Sequence, residues 1–161
     1  MKVKLHWITS HNMQLAMMAR PRGGEWLVDE IDSLAKQGIQ TVVSLLTDAE
    51  IVELDLGDEA IACIHRGIEY ARCPIEDRSV PKSAAAFRML LEELFPAASS
   101  GRRIAIHCRM GIGRSSLLAA LLLNRGGCPI EEAFGRIRAA RGCNVPDTTA
   151  QLAWAMTFAT T

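Results

Sequence analysis

Ile104-Ala105-Ile106-His107-Cys108-Arg109-Met110-Gly111-Ile112-Gly113-Arg114-Ser115-Ser116 reads as three consecutive pieces. Ile104 to Ile106 has the composition of a strand buried on both faces, Gly111 and Gly113 mark a turn, and Leu117 to Leu123 continues as an unbroken apolar stretch suited to a buried helix. A strand that delivers a glycine-rich loop to a helix N-terminus can aim several backbone N–H groups at one anion. The spacing of Cys108 and Arg114 carries little weight alone, because the chain is rich in both residue types; the flanking strand and helix give it meaning.

The surrounding chain sets the limits. At 161 residues and 49% hydrophobic, it suits one domain with a substantial core. The expected architecture is a single α/β domain over residues 1–161, with a central, largely parallel twisted sheet flanked by helices. The longest apolar run falls well short of the ~20 residues that span a bilayer. Lys2, Lys4 and His6 interrupt the N-terminal apolar residues, unlike a signal peptide, so the expectation is a cytoplasmic protein without a membrane span, most simply a monomer. Five cysteines in no paired spacing argue against a disulfide framework and against a metal site, and no cofactor is expected.

Formal charge is zero but unevenly placed. Residues 1–100 hold 10 Lys/Arg against 15 Asp/Glu, while residues 101–161 hold 8 arginines against 3 acids. The positive half surrounds the candidate loop, which favours an anionic ligand without making the chain a nucleic-acid binder.

Taken in order, Val3 to Thr9 alternates as a first strand, and Ser10 to Gly24 is expected to be a loop. Trp26 to Gln37 has helical spacing with Gly38 as its stop, and Ile39 to Leu46 is a buried strand leading to a helix capped by Thr47 or Asp48. The acidic segment Asp48 to Glu59 is expected to be a solvated face, within a short helix, a turn at Gly57 and a second helix ending near Gly67. Ile68 to Cys73 is a third strand, and Pro74 to Pro81 a loop. Pro81 can open the next helix and Pro96 is expected to stop it. A strand over 102–107 leads to the loop, and helices over Ser115 to Asn124, Ile130 to Arg141 and Asp147 to about Phe158 complete the chain.

A cysteine attacks phosphorus as its thiolate, which needs positive potential. At Cys108 that potential would come from the helix dipole, the inward amides of residues 109–114 (Arg109, Met110, Gly111, Ile112, Gly113, Arg114) and the Arg114 charge, lowering the thiol pKa by one to several units from ~8.5. Gly111 and Gly113 would let the backbone curl into a cradle. The planar fork of Arg114 suits two phosphate oxygens, and the Ser115 hydroxyl can support the sulfur as a leaving group.

These nine residues, His107 to Ser115, resemble the signature of the cysteine-dependent tyrosine and dual-specificity phosphatases. That family carries a general-acid aspartate about thirty residues upstream, and Cys73-Pro74-Ile75-Glu76-Asp77-Arg78-Ser79-Val80-Pro81 matches the element, with Asp77 31 positions before Cys108. The resemblance implies hydrolysis of phosphate monoesters without a metal, through a cysteinyl-phosphate on Cys108, with Asp77 as acid and then base. It implies phosphotyrosine, and with it phosphoserine and phosphothreonine, in phosphorylated proteins as the substrate; a small anionic phosphoester such as a phosphoinositide, an RNA 5′ phosphate or a sugar phosphate is the alternative, and a non-catalytic module that binds phosphorylated partners is the rival of a different class. Arg138 to Gly142 and Pro146 to Gln151 are similar to the family's last helices, where a glutamine like Gln151 lies near the site; His107 is expected to orient the loop. Met110 stands where the family more often has a small residue.

Overall fold

Period-two alternation in the central strands divides the core into two layers. The structure, a computed structural model, describes residues 2–159. Five strands, β1 His6–Ser10, β2 Met13–Met18, β3 Thr41–Ser44, β4 Glu69–Arg72 and β5 Arg103–His107, form one sheet in the order β1-β2-β5-β3-β4. The β1/β2 pair is antiparallel and the other pairs are parallel. Leu15, Met17, Val43, Ile104 and Ile106 face the layer that holds helices α4 (Ala84–Ser99), α5 (Gly113–Arg125), α6 (Ile130–Arg141) and α7 (Thr149–Ala159). Ala16, Met18, Val42 and Ala105 face the layer of α1 (Leu27–Lys36), α2 (Asp48–Glu53) and α3 (Glu59–His65).

The expected α/β fold is therefore present, with three local differences. The segment expected to be a loop contains β2, a full strand whose residues are almost all buried. Its signal is weak because methionine and glutamine replace the β-branched residues usual in strands. A two-residue turn, His11-Asn12, joins it to β1 with positive φ at both residues (52° and 65°), which matches the twist of a tight hairpin. Pro96 lies inside α4 instead of ending it, because Pro96 and Glu92 both face solvent, where water can serve the carbonyl that the missing N–H leaves. That helix starts after Ser83, whose hydroxyl caps the Ala86 amide at 3.0 Å, and not at Pro81.

Among the described residues, no helix is long and apolar enough to cross a membrane. Phe87 of α4 meets Trp154 and Phe158 of α7 edge-on at 5.3 and 5.5 Å, which fixes the last helix against the layer behind the loop.

Candidate active site

Strand β5 ends at His107, and the chain turns into α5 at Gly113, so residues 108–112 bridge the C-terminal end of the sheet and a helix N-terminus. Ligands to α/β sheets collect at this end. Gly111 adopts φ +70°, and a Cβ there would come within 2.2 Å of the Met18 carbonyl oxygen, so both conformation and space require glycine. Gly113 differs from expectation. It needs no positive φ; a Cβ there would come within 2.3 Å of the Asp147 carboxylate, which would have to turn aside. Among the described residues, none of the N–H groups of residues 109–115 has a hydrogen-bond acceptor, and α5 has no side-chain cap. A set of unpaired donors at a helix start is an anion cradle.

Cys108 lies at its base, 3% exposed, with the Ser115 hydroxyl donating to Sγ at 3.2 Å. Arg114 is fully enclosed. Its guanidinium donates to Glu50 Oε1 at 2.6 Å and Oε2 at 3.0 Å, to the Ile75 carbonyl at 2.7 Å and to Asp77 Oδ1 at 3.2 Å. Asp77 is half exposed at the mouth. The sequence-derived residues Cys108, Asp77, Arg114 and Ser115 thus converge within one site. Met110, within the loop, is 62% exposed.

Gln151 is buried. Its amide nitrogen donates to the Ser79 carbonyl at 2.9 Å, while its oxygen accepts from the Asp147 and Thr148 amides at 2.9 and 3.3 Å. It fastens the Asp77 loop to the start of α7.

The acidic segment is a solvated face at Asp48, Glu53, Asp55 and Asp58, as expected from its charge, but not throughout. Glu50 and Glu59 are both buried. Burial works against an ionised Glu50, but hydrogen bonds from Arg114, the Thr47 amide and Arg109 prevail and hold its carboxyl at about 2. Arg109 donates to Glu50 at 3.2 Å and to Glu53 at 2.7 Å. A legible sign existed in Thr47-Asp48-Ala49-Glu50, a capping box with Glu50 reaching back to the Thr47 amide at 3.1 Å. Nothing in the sequence linked it to Arg114.

Because the folded carboxyl is depressed from 4.5, the stability it confers is complete above pH ~4.5 and is lost as pH falls toward 2. Glu50→Gln is expected to lower the urea midpoint at pH 7, where Arg114 and Arg109 each lose one of two counter-charges, and to show a shallower loss of stability than the parent between pH 4.5 and 2. Urea titrations across that range measure both.

Arg141 does more than close a helix similar to the family's. From the end of α6 it donates to the Gly111 carbonyl at 2.9 Å and the Met110 carbonyl at 3.2 Å, and its third nitrogen lies 2.8 Å from His6 Nε2. Holding these carbonyls outward leaves the neighbouring amides free to face the cradle. Burial, followed by the Arg141 charge, pushes His6 below its ordinary pKa, which suits an imidazole that accepts from arginine.

The family model "Dual specificity phosphatase, catalytic domain" matches residues 26–157. The chain belongs to the dual-specificity phosphatase family. Rat cyclin-dependent kinase inhibitor 3 is 29% identical over 124 residues, which covers 76% of this chain and 58% of that protein. Mouse dual specificity protein phosphatase 2 is 29% identical over 79 residues, 48% of this chain and 25% of its own length. The chain thus spans between a quarter and three fifths of these two relatives. In three dimensions it resembles kinase associated phosphatase, solved with serine replacing its catalytic-site cysteine, at a TM-score of 0.88 and 24% identity over 98% of this chain and 94% of that one. A structure of PTPMT1 superposes at 0.77, with 20% identity over 98% and 94%. Such likenesses establish the phosphatase fold.

Proposed function

We propose that the chain hydrolyses phosphate monoesters, chiefly phosphotyrosine in proteins and more slowly phosphoserine and phosphothreonine. The observation that supports this most directly is the convergence of Cys108, the unpaired amides of residues 109–115, Arg114 and Asp77 in one cleft. The Asp77 carboxyl is half exposed while the Cys108 sulfur is nearly buried, a difference that suits the long ester of an aromatic ring over a short aliphatic one, and the exposed thioether of Met110 offers that ring an apolar contact.

In the first step the Cys108 thiolate attacks phosphorus, a sulfur–phosphorus bond forms and the ester phosphorus–oxygen bond breaks, with the Asp77 proton moving to the leaving oxygen. The cradle amides hold the equatorial oxygens as negative charge spreads over them, joined by Arg114 through its Nε–H and through the Nη2 donor that Asp77 yields when it turns to the leaving oxygen. Water then attacks phosphorus. Asp77 accepts its proton, the sulfur–phosphorus bond breaks, and Ser115 donates a hydrogen bond to the departing thiolate. No metal enters either step, so activity is expected to persist in chelator and to be inhibited by vanadate.

Asp77→Asn tests the acid. With a poor leaving group, kcat is expected to fall ~10²–10⁴-fold and the loss of rate toward alkaline pH to disappear. An activated aryl phosphate, which needs little protonation, should be affected far less. Equal losses on both substrates, with the alkaline limb retained, would remove Asp77 from the mechanism.

A phosphoinositide is the second reading, because PTPMT1, a neighbour in fold, has been solved with PI(5)P. The loop has no lysine, and its Arg109 is engaged by Glu50 and Glu53, which leaves the protein substrate favoured. Comparing kcat/KM for phosphotyrosyl peptides and short-chain phosphoinositides separates the two.

A further inference from the structure

The phosphate loop is held from outside by the last side chain of α6, and that side chain is held in turn by a histidine on the edge strand β1. Arg141 donates through Nε to the Gly111 carbonyl at 2.9 Å and through Nη2 to the Met110 carbonyl at 3.2 Å. In a trans peptide the carbonyl and the next N–H point opposite ways, so these two bonds turn the N–H groups of Gly111 and Ile112 inward, toward the anion. Gly111, at φ +70°, is free to turn its peptides the other way once the bonds are lost. Among the described residues Arg141 has no carboxylate partner; its remaining contact sets Nη1 2.8 Å from His6 Nε2. Arginine stays charged and has no acceptor, so Nε2 accepts, and the ring is neutral with its proton on Nδ1.

We propose that His6 is a positioning residue for the phosphate loop: as a neutral acceptor it steadies Arg141 against the Met110 and Gly111 carbonyls, and protonation at Nε2 releases that hold. This rests on the reading of the loop as a phosphate cradle. It also makes anion binding depend on a side chain from β1, a strand that contributes nothing to the cleft itself.

The groups that face His6 offer no substitute for the contact. Arg141 reaches it from α6, Lys4 stands in the lead-in to β1, and β2 sets the uncharged Met17 opposite. Burial and then the Arg141 charge disfavour the imidazolium; a backbone hydrogen bond at Ala140 opposes them, and Lys4 adds a smaller repulsion. His6 therefore charges only below its ordinary 6.5. Protonation would then set two cations 2.8 Å apart with no carboxylate bonded to either among the described residues. His107 does not share this role, since Glu59 engages its ring at 2.7 Å.

The test is binding of inorganic sulfate to the full chain by calorimetry, because sulfate keeps its double charge from mildly acid to mildly alkaline pH and needs no turnover. His6→Gln supplies an acceptor that does not titrate, and His6→Leu supplies none. At mildly alkaline pH, His6→Gln is expected to bind as the parent does and His6→Leu about tenfold more weakly, the worth of one hydrogen bond to a charged donor. As pH falls below 6.5, the parent is expected to lose affinity relative to His6→Gln and to approach His6→Leu. Parallel curves for the parent and His6→Gln, or a His6→Leu variant that binds as tightly as the parent, overturn the proposal. Should the variants not fold, ¹⁵N spectra of the parent decide: an Nδ1–H tautomer at His6 is expected, and an Nε2–H tautomer overturns it. A parent that binds no sulfate contradicts the cradle and not the hold on Arg141, which the same spectra then decide.

Discussion

Cys108→Ser is expected to abolish turnover of an aryl phosphate while leaving the fold and phosphate binding in place. Serine fits where the thiol stands, since the site is 3% exposed and the exchange removes little volume. Its hydroxyl, however, is a far weaker acid than a thiol and a poorer nucleophile, so no comparable nucleophile remains. The expected loss is ~10⁴-fold or more, about 5.4 kcal/mol at 1.36 kcal/mol per tenfold. The cradle amides and Arg114 do not depend on the sulfur, so inorganic phosphate should still bind, with a thermal midpoint close to the parent's. Stopped assays with excess enzyme, alongside phosphate titration by calorimetry, separate the two effects. Retained turnover in this variant would exclude the cysteinyl-phosphate.

The next largest effect is expected at Arg114, and the informative change is to lysine. Lysine preserves the charge but gives up the planar fork, which here makes four hydrogen bonds to three partners, Glu50, Ile75 and Asp77. A single ammonium cannot span both Glu50 oxygens and also reach Asp77, so both the grip on phosphate and the placement of the acid suffer. A loss of ~10²–10³ in kcat is expected, comparable to removing one donor to a developing oxyanion, or about 2.7–4 kcal/mol. KM should change less, because the fork matters most when charge spreads in the transition state. Steady-state kinetics give both numbers; a change confined to KM would make Arg114 a simple ground-state contact.

The strand, loop and helix around Cys108 were legible because each rests on local rules: an apolar run, a glycine that only φ +70° explains, and a helix start with free amides. Asp77 was legible as a motif, and the fold sets it against Arg114 at 3.2 Å. What the sequence concealed depends on partners far along the chain. Glu50 and Glu59 look like surface charge in a run of acids, and only folding sets Glu50 against Arg114, 64 positions away, and Glu59 against His107, 48 away. Strand β2 was hidden for a different reason. Its methionines follow no strand preference, and it becomes a strand because β1 and β5 pair with it from both sides.

The two-layer core has a consequence for the integrity of the site. Glu50 and Glu59 belong to α2 and α3 on one face of the sheet, whereas Arg114 and Gln151 belong to α5 and α7 on the other. The groups that anchor the loop are thus drawn from both halves of the molecule and meet only at the sheet's end. Damage confined to one half, such as a nick or a frayed helix, dismantles the cleft even where the opposite half stays packed. Catalytic competence in this architecture reports on the whole fold, and no single half can be excised as an independent catalyst.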